Sequence, residues 1–388
     1  MLLRQKGGVA PHPIPAAGPR VLQLLPDAAG TAATHAALAL GGALQSAGGD
    51  IVIAGGSVQT HAHLRRAGIE HHPFSQSRTT LFQMAATQAL LNLVHAREID
   101  LIHVHGIEAG ATARAFADAA NLPLVMSVDD VPRGGFLGRR SARRDLTGRP
   151  VVVPSDYAAQ CLIRDHGLLP GSVRIVKPGI DLAAFDEAAV SAERTVAVAA
   201  HWGLMDDPRP VILVPGALAD TAWLNWVLTA AVSTDAPDAV WILLGQPEHE
   251  ETALRRIRDA GAAGRVAWVG ECADWPAALK LSALVAALPL RAPMTSGPLL
   301  EAQAMGRTVV TTDSGACGEA IAPGKTGWIV RPRDPGSLVY AVSAAIERDQ
   351  VIRGAMALAA RRRIETAYAQ DAAQAEMIAV YREVMGAR

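Results

Sequence analysis

Glu301 stands in the segment of this 388-residue chain whose residue types and spacing best suit chemistry. From Gly297 to Gly327 the sequence reads GPLLEAQAMGRTVVTTDSGACGEAIAPGKTG. It contains a helix start, a buried strand, a turn at Gly315 and a second helix start. Helix N-termini expose N–H groups that attract phosphate. A carboxylate beside them suits a sugar hydroxyl. A nucleotide sugar presents both groups, so the segment points to sugar transfer. The amides of Thr295, Ser296 and Gly297 would meet phosphate, and Glu301 would meet a hydroxyl. The plainer reading makes Glu301 a first-turn acid favoured by the helix dipole and gives Gly297 and Gly315 only tight turns to serve.

Other polar groups are weaker candidates. His103 and His105 alternate along one strand, so both side chains face the same way. They would line a cleft or serve as core and capping groups. Asp129 and Asp130 follow a strand at its carboxyl end, where site residues collect. Asp129 is the candidate base, although a carboxylate beside a phosphate is electrostatically unfavourable. Asx turns and N-caps account for it equally well. The histidines at 12, 61, 63, 71 and 72 lack acidic or cysteine partners at useful spacing, so no metal site is expected. No hydrolase elbow is present. Arg133 to Arg149 concentrates six arginines with Phe136 and Leu137. This stretch is read as a loop, either solvated or in peripheral contact with anionic lipid.

The elements that must position these residues alternate regularly. Val21–Leu25, Ile51–Gly55, Asp100–Gly106, Leu122–Val128, Val151–Ser155 and Val173–Asp181 read as strands, with Ala-rich helices between them. Residues 186–209 are charged and mixed, and read as a linker that turns helical near Ser191. A second series follows, with strands ending at Gly216, Gly245, Gly270, Pro289, Thr312 and Val330. The last helix is amphipathic, with Ile378, Tyr381 and Val384 on one face. Alternation of this kind implies βαβ units. The expected class is α/β, with two doubly wound, Rossmann-like parallel-sheet domains facing a cleft. Gly216 and Gly270 close strands at carboxyl ends, where ligands bind.

Composition agrees. Half the residues are hydrophobic and only 4% are aromatic, so small aliphatic side chains must build the cores. The net charge of -1 gives no general attraction to nucleic acid. Three widely spaced cysteines suggest a reducing compartment. No run reaches the roughly 18 apolar residues that span a bilayer. Residues 1–20 read as a flexible leader rather than a signal peptide. A cytoplasmic protein is expected, with peripheral contact at the inner membrane face as an extension.

In motif order the chain resembles the retaining GT-B glycosyltransferases of the large family-4 group. Residues 25–56, 99–128 and 151–186 resemble the family's N-terminal domain. The segments VILVPGALAD, LEAQAMGRTVVTTDSG and GKTGWIVRPRDPGSL resemble its C-terminal domain. The resemblance implies an acceptor-side domain over 21–190 and a nucleotide-sugar domain over 191–371. Helix 372–388 would return to the N-terminal domain. The family uses no cofactor or metal, with the nucleotide sugar as substrate. Its acceptors are glycans or lipid-linked glycans of polysaccharide and lipopolysaccharide pathways. The residue matching Glu301 holds the nucleotide ribose. The first loop, here Gly30 and Thr31, lies on the acceptor side, near His105.

Several charged positions of the family pattern are changed. Ala217 and Ala222 stand where an Arg and a Lys contact the donor diphosphate. Pro293 replaces the first Glu of the glutamate pair, and Asp129 takes the place of a His. Charge-assisted hydrogen bonds are worth about 1.5–3 kcal/mol each. Two losses weaken donor binding by several powers of ten unless other groups compensate. Arg291 and Lys325 are the expected compensating cations. The alternative reading is a degenerate glycosyltransferase-fold protein that binds a glycan or an active partner glycosyltransferase. A weaker third reading keeps an enzyme with a lipid-phosphate sugar donor.

Overall fold

The computed structural model describes residues 18–25, 32–55, 64, 68–72, 80–106, 110–130, 136–216, 221–245 and 250–386. They form two compact units, Met1–Lys177 with Asp371–Arg388, and Pro178–Gln370.

The first unit is built on a seven-stranded sheet. Its strands are β1 (Arg20–Leu25), β2 (Asp50–Gly55), β3 (Glu70–His72), β4 (Leu101–His105), β5 (Leu124–Ser127), β6 (Val151–Val153) and β7 (Val173–Ile175). The order is β3-β2-β1-β4-β5-β6-β7, with every pair parallel. Helices cover both faces of such sheets, so the strands read as unbroken apolar runs. Val21, Leu22, Leu24 and Leu25 are all buried, and Gln23 is buried among them.

The crossover helices are α1 (Ala32–Ser46), α2 (Thr80–Arg97), α3 (Gly110–Ala120), α4 (Phe136–Leu146) and α5 (Asp156–His166). Helix α5 shows why its ends fall where they do. Ser155 caps it by accepting the Ala158 N–H at 3.1 Å. Gly167 ends it in the left-handed region, with φ +64. The arginine-rich stretch is therefore not all loop, because Phe136–Leu146 is helical. Its run of arginines and leucines has good helix propensity.

The second unit repeats the winding with six strands. They are β8 (Val211–Pro215), β9 (Val240–Leu244), β10 (Val266–Gly270), β11 (Leu284–Ala287), β12 (Thr308–Thr312) and β13 (Gly327–Val330). Their order is β10-β9-β8-β11-β12-β13, again parallel throughout. Its helices are α6 (Ala192–His201), α7 (Thr221–Ala231), α8 (Glu250–Asp259), α9 (Trp275–Leu281), α10 (Gly297–Ala304), α11 (Cys317–Ala320), α12 (Pro335–Ile346) and α13 (Gln350–Ala367). The charged stretch 186–209 is packed rather than loose. Val190, Val198 and Trp202 are buried in the core with Ile180 and Leu213. The second helix start near Gly315 is only a single turn, α11, with no side-chain cap.

Helix α14 (Gln370–Gly386) lies in the first unit from Asp371 onward. Ile378, Val380, Tyr381 and Met385 bury against Val21, Ile51, Leu101 and Val125. Tyr381 is fully buried.

Candidate functional site

In the second unit, strand order reverses between β8 and β11, the place where wound sheets bind ligands at their carboxyl ends. Gly216 follows β8 there. A Cβ at Gly216 would lie 2.3 Å from a ring carbon of Trp223, so glycine makes room for an indole. Trp223 is buried in the first turn of α7 and donates from Nε1 to the Leu288 carbonyl at 2.8 Å. It thus ties α7 to the loop leaving β11. Ala222 beside it is exposed. Ala217 lies outside the described residues.

The loop after β11 leads through Thr295 to Ser296, which caps α10 with φ −133 and ψ 37. The Ser296 hydroxyl makes no capping bond. The N–H groups of Leu299 and Leu300 both turn back to the Ser296 carbonyl, at 3.0 and 3.2 Å. Pro298 has no N–H to offer. The amides of Ser296 and Gly297 find no acceptor among the described residues, and a Cβ on Gly297 would meet nothing within 4 Å. Two amides without a described acceptor therefore stand at this helix start, although Ser296 itself is largely buried.

Gly315 shapes the same corner. Its φ is +58, and a Cβ there would come within 2.3 Å of the Pro293 carbonyl oxygen. The Ala316 N–H donates to that oxygen at 2.9 Å. Only glycine permits this clamp on the loop that carries Pro293.

Glu301 is the fifth residue of α10, so it lies beyond the first turn and the dipole does not explain it. It shares a helix face with Gly297 at i, i+4 spacing. Its Oε2 accepts from Trp275 Nε1 at 2.7 Å. Burial pushes the Glu301 carboxyl above its ordinary value, while the indole bond pulls it back. Trp275 is itself fixed at the first position of α9. Asp274 caps that helix by accepting the Ala277 N–H at 3.1 Å, and it receives both arms of Arg194 at 2.7 Å. Gly270 ends β10 with φ +68 and begins the loop that delivers Trp275. Trp275 was not singled out from the sequence. Its signal was the Asp-Trp-Pro start of a helix, an N-cap followed by Pro in the first turn.

The two expected compensating cations separate. Arg291 is exposed on the loop between β11 and α10 and pairs with no described residue. Lys325 is exposed two residues before β13. Because Gly327 pairs in register with Val309 near the start of β12, Lys325 belongs to the amino-terminal edge. Ser296 belongs to the carboxyl edge, so Lys325 is not part of this corner.

In the first unit, His105 ends β4 but is buried, with Nε2 at 2.9 Å from Gln23 Oε1 on β1. His103 is buried beside it. Its Nδ1 lies 2.6 Å from the Tyr381 hydroxyl and its Nε2 2.7 Å from Ser127 Oγ. The two imidazole rings are 4.2 Å apart. Burial lowers both histidines, His105 to about 4 and His103 well below its ordinary value, with His105 adding to the latter. Both rings are therefore neutral internal groups near pH 7, and His105 lines no open surface. Asp129 follows β5 and is half-buried. Burial raises its carboxyl, Asp130 adds to the shift, and the amides of both residues oppose it. Gly30 and Thr31 lie outside the described residues.

Comparison with known proteins bears on the family and the fold. The family described as Glycosyltransferase Family 4 matches residues 33–184, and that described as Glycosyl transferases group 1 matches residues 209–348. The chain is similar to D-inositol 3-phosphate glycosyltransferase of Jonesia denitrificans, at 25% identity over 331 residues. That match covers 76% of this chain and 75% of the relative. A glycosyltransferase from Rickettsia africae shares the fold with a TM-score of 0.85 at 15% identity, over 95% of this chain and 99% of that one. HepE of Anabaena, solved in complex with UDP, gives 0.79 at 17% identity, over 94% and 100%. With one family match in each half and the shared fold spanning nearly the whole chain, this protein belongs to the family-4 group of GT-B glycosyltransferases.

Proposed function

We propose that the protein transfers a sugar from a nucleotide-sugar donor to a glycan or lipid-linked acceptor with retained stereochemistry. The second unit would bind the donor at the carboxyl ends of β8 and β11. The observation that carries this reading is the pair of amides without a described acceptor at Ser296 and Gly297, one helical turn before a carboxylate held by Trp275. The amides would meet the diphosphate, where oriented N–H groups stabilise charge as the leaving group departs. Glu301 would take the ribose hydroxyls on its remaining acceptor sites. The UDP complex of the Anabaena relative supports a nucleoside diphosphate as the ligand class.

Charge neutralisation would then come mainly from backbone. Trp223 fills the place beside Gly216, and Ala222 carries no charge. Arg291 is the cation on the adjacent loop. The first unit would take the acceptor near Asp129, at the carboxyl end of β5. The reaction would proceed without a metal, in the cytoplasm at the inner membrane face.

Calorimetric titration with UDP, GDP and ADP tests the donor site. At least one should bind, and Glu301→Gln should weaken it about 10- to 100-fold, the worth of a charge-assisted hydrogen bond. Donor hydrolysis should fall in parallel. If none of the three binds, the donor reading fails and the non-catalytic reading takes its place.

A further inference from the structure

A basic feature lies in the first unit. Three helices bring arginines from separate parts of the sequence around one recess of about 910 Å³. Helix α3 supplies Arg114, helix α4 supplies Arg140, Arg143 and Arg144, and helix α5 supplies Arg164. Thr147 and Gly167 also line it, and they precede β6 and β7. The recess therefore sits toward the amino-terminal edge of this sheet. His105 and Asp129 lie at the other edge.

Three of the five guanidinium groups already have protein partners. Arg114 donates from Nη1 to the Arg144 carbonyl at 2.6 Å. Arg164 forks onto Asp165 at 2.8 and 3.1 Å. Arg144 reaches Asp145 at 3.3 Å. Arg140 and Arg143 are exposed and pair with no described residue. Arg143 lies close over Gly167, where a Cβ would stand 3.2 Å from the guanidinium carbon. The glycine that ends α5 thus also makes room for this side chain.

Among the described lining residues, five arginines face one carboxylate, that of Asp165. Like charges held together repel, and an anion that enters relieves the repulsion. Guanidinium forks match phosphate oxygens in pairs. The volume falls within the range of small-ligand pockets, about 300–1,000 Å³, and exceeds what one phosphate fills.

We propose that this recess binds a phosphate-bearing ligand through Arg140 and Arg143, at a site separate from the donor site in the other unit. The shared chemistry is a phosphate ester anion, whether of a soluble phosphorylated compound or of a phospholipid headgroup.

Two probes on the full chain at low salt distinguish the sources. One is inorganic pyrophosphate, followed by calorimetry. The other is sedimentation with vesicles of phosphatidylglycerol in phosphatidylcholine. Binding of at least one probe is expected, with a loss of at least tenfold in Arg140→Ala with Arg143→Ala. Loss confined to pyrophosphate assigns a soluble ligand, and loss confined to vesicles assigns a headgroup. Arg255→Ala with Arg258→Ala removes two exposed arginines of the second unit and should change nothing. The proposal is overturned if neither probe binds, if binding survives in the first pair, or if both pairs lose it equally. Pyrophosphate held only by the donor site would survive in the first pair, so the two sites are told apart.

Discussion

Where strand order reverses, the second unit buries an indole and the first buries two imidazoles. Trp223 ties α7 to the loop leaving β11 through a hydrogen bond to the Leu288 carbonyl, with a glycine beneath its ring. Across β1 and β4, His105 meets Gln23, and His103 is held between Ser127 and Tyr381. The winding is the same, yet one crevice is braced by an apolar plate and the other by a polar chain. The difference shows that topology marks where a site can form, while single side chains decide what fills it. In the second unit the amides at Ser296 and Gly297 find no acceptor among the described residues. The histidine network instead uses its polar groups internally.

Breaking the indole should have the largest effect. Trp223→Ala is expected to cost about 3–5 kcal/mol by denaturant unfolding, as large core truncations do. A loss under about 1 kcal/mol would mean that the indole does not brace the crevice.

The first unit should respond to pH instead. Unfolded histidine takes a proton near 6.5, whereas folded His105 resists until about 4. Protons thus bind the unfolded chain more readily between those values. Stability is complete above about pH 6.5 and falls as pH drops toward 4, by about 1.4 kcal/mol per unit for that ring. His105→Asn should flatten the slope measured between pH 6.5 and 4.5. An unchanged slope would show that the ring is not the neutral buried group described here.

The smallest expected effect is that of Tyr381→Phe. It leaves His103 Nδ1 without its hydroxyl partner and should cost about 1–2 kcal/mol. Thermal unfolding that matches the parent would place the tyrosine outside the network.

Much of the fold was legible because its signals are local. Short runs of aliphatic and β-branched residues such as VLQLL and TVVTT sit at strands, and Asp156–His166 carries its own N-cap and glycine stop. The helix over Phe136–Leu146 was hidden because its arginines obscure any apolar face. The β3 strand Glu70–His72 was hidden because three polar residues carry no strand pattern and gain one only by pairing with β2. At the candidate donor corner, Glu301 and the helix start at Gly297 were visible in order and spacing. Trp275 was not, because its contact to Glu301 joins two helices 26 residues apart. Lys325 looked close in sequence, and strand register puts it at the opposite edge.

By itself the sequence determined the alternating elements, the parallel winding and the family, since periodicity and capping act over a few residues. Only the tertiary structure decided which polar groups are occupied. It placed the indole of Trp275 on Glu301, sealed His103 against a tyrosine 278 residues away, and gathered arginines of three helices into one recess. The reason is physical: a hydrogen bond or a shared field depends on distances of a few ångströms, and those are set by packing between segments remote in the chain.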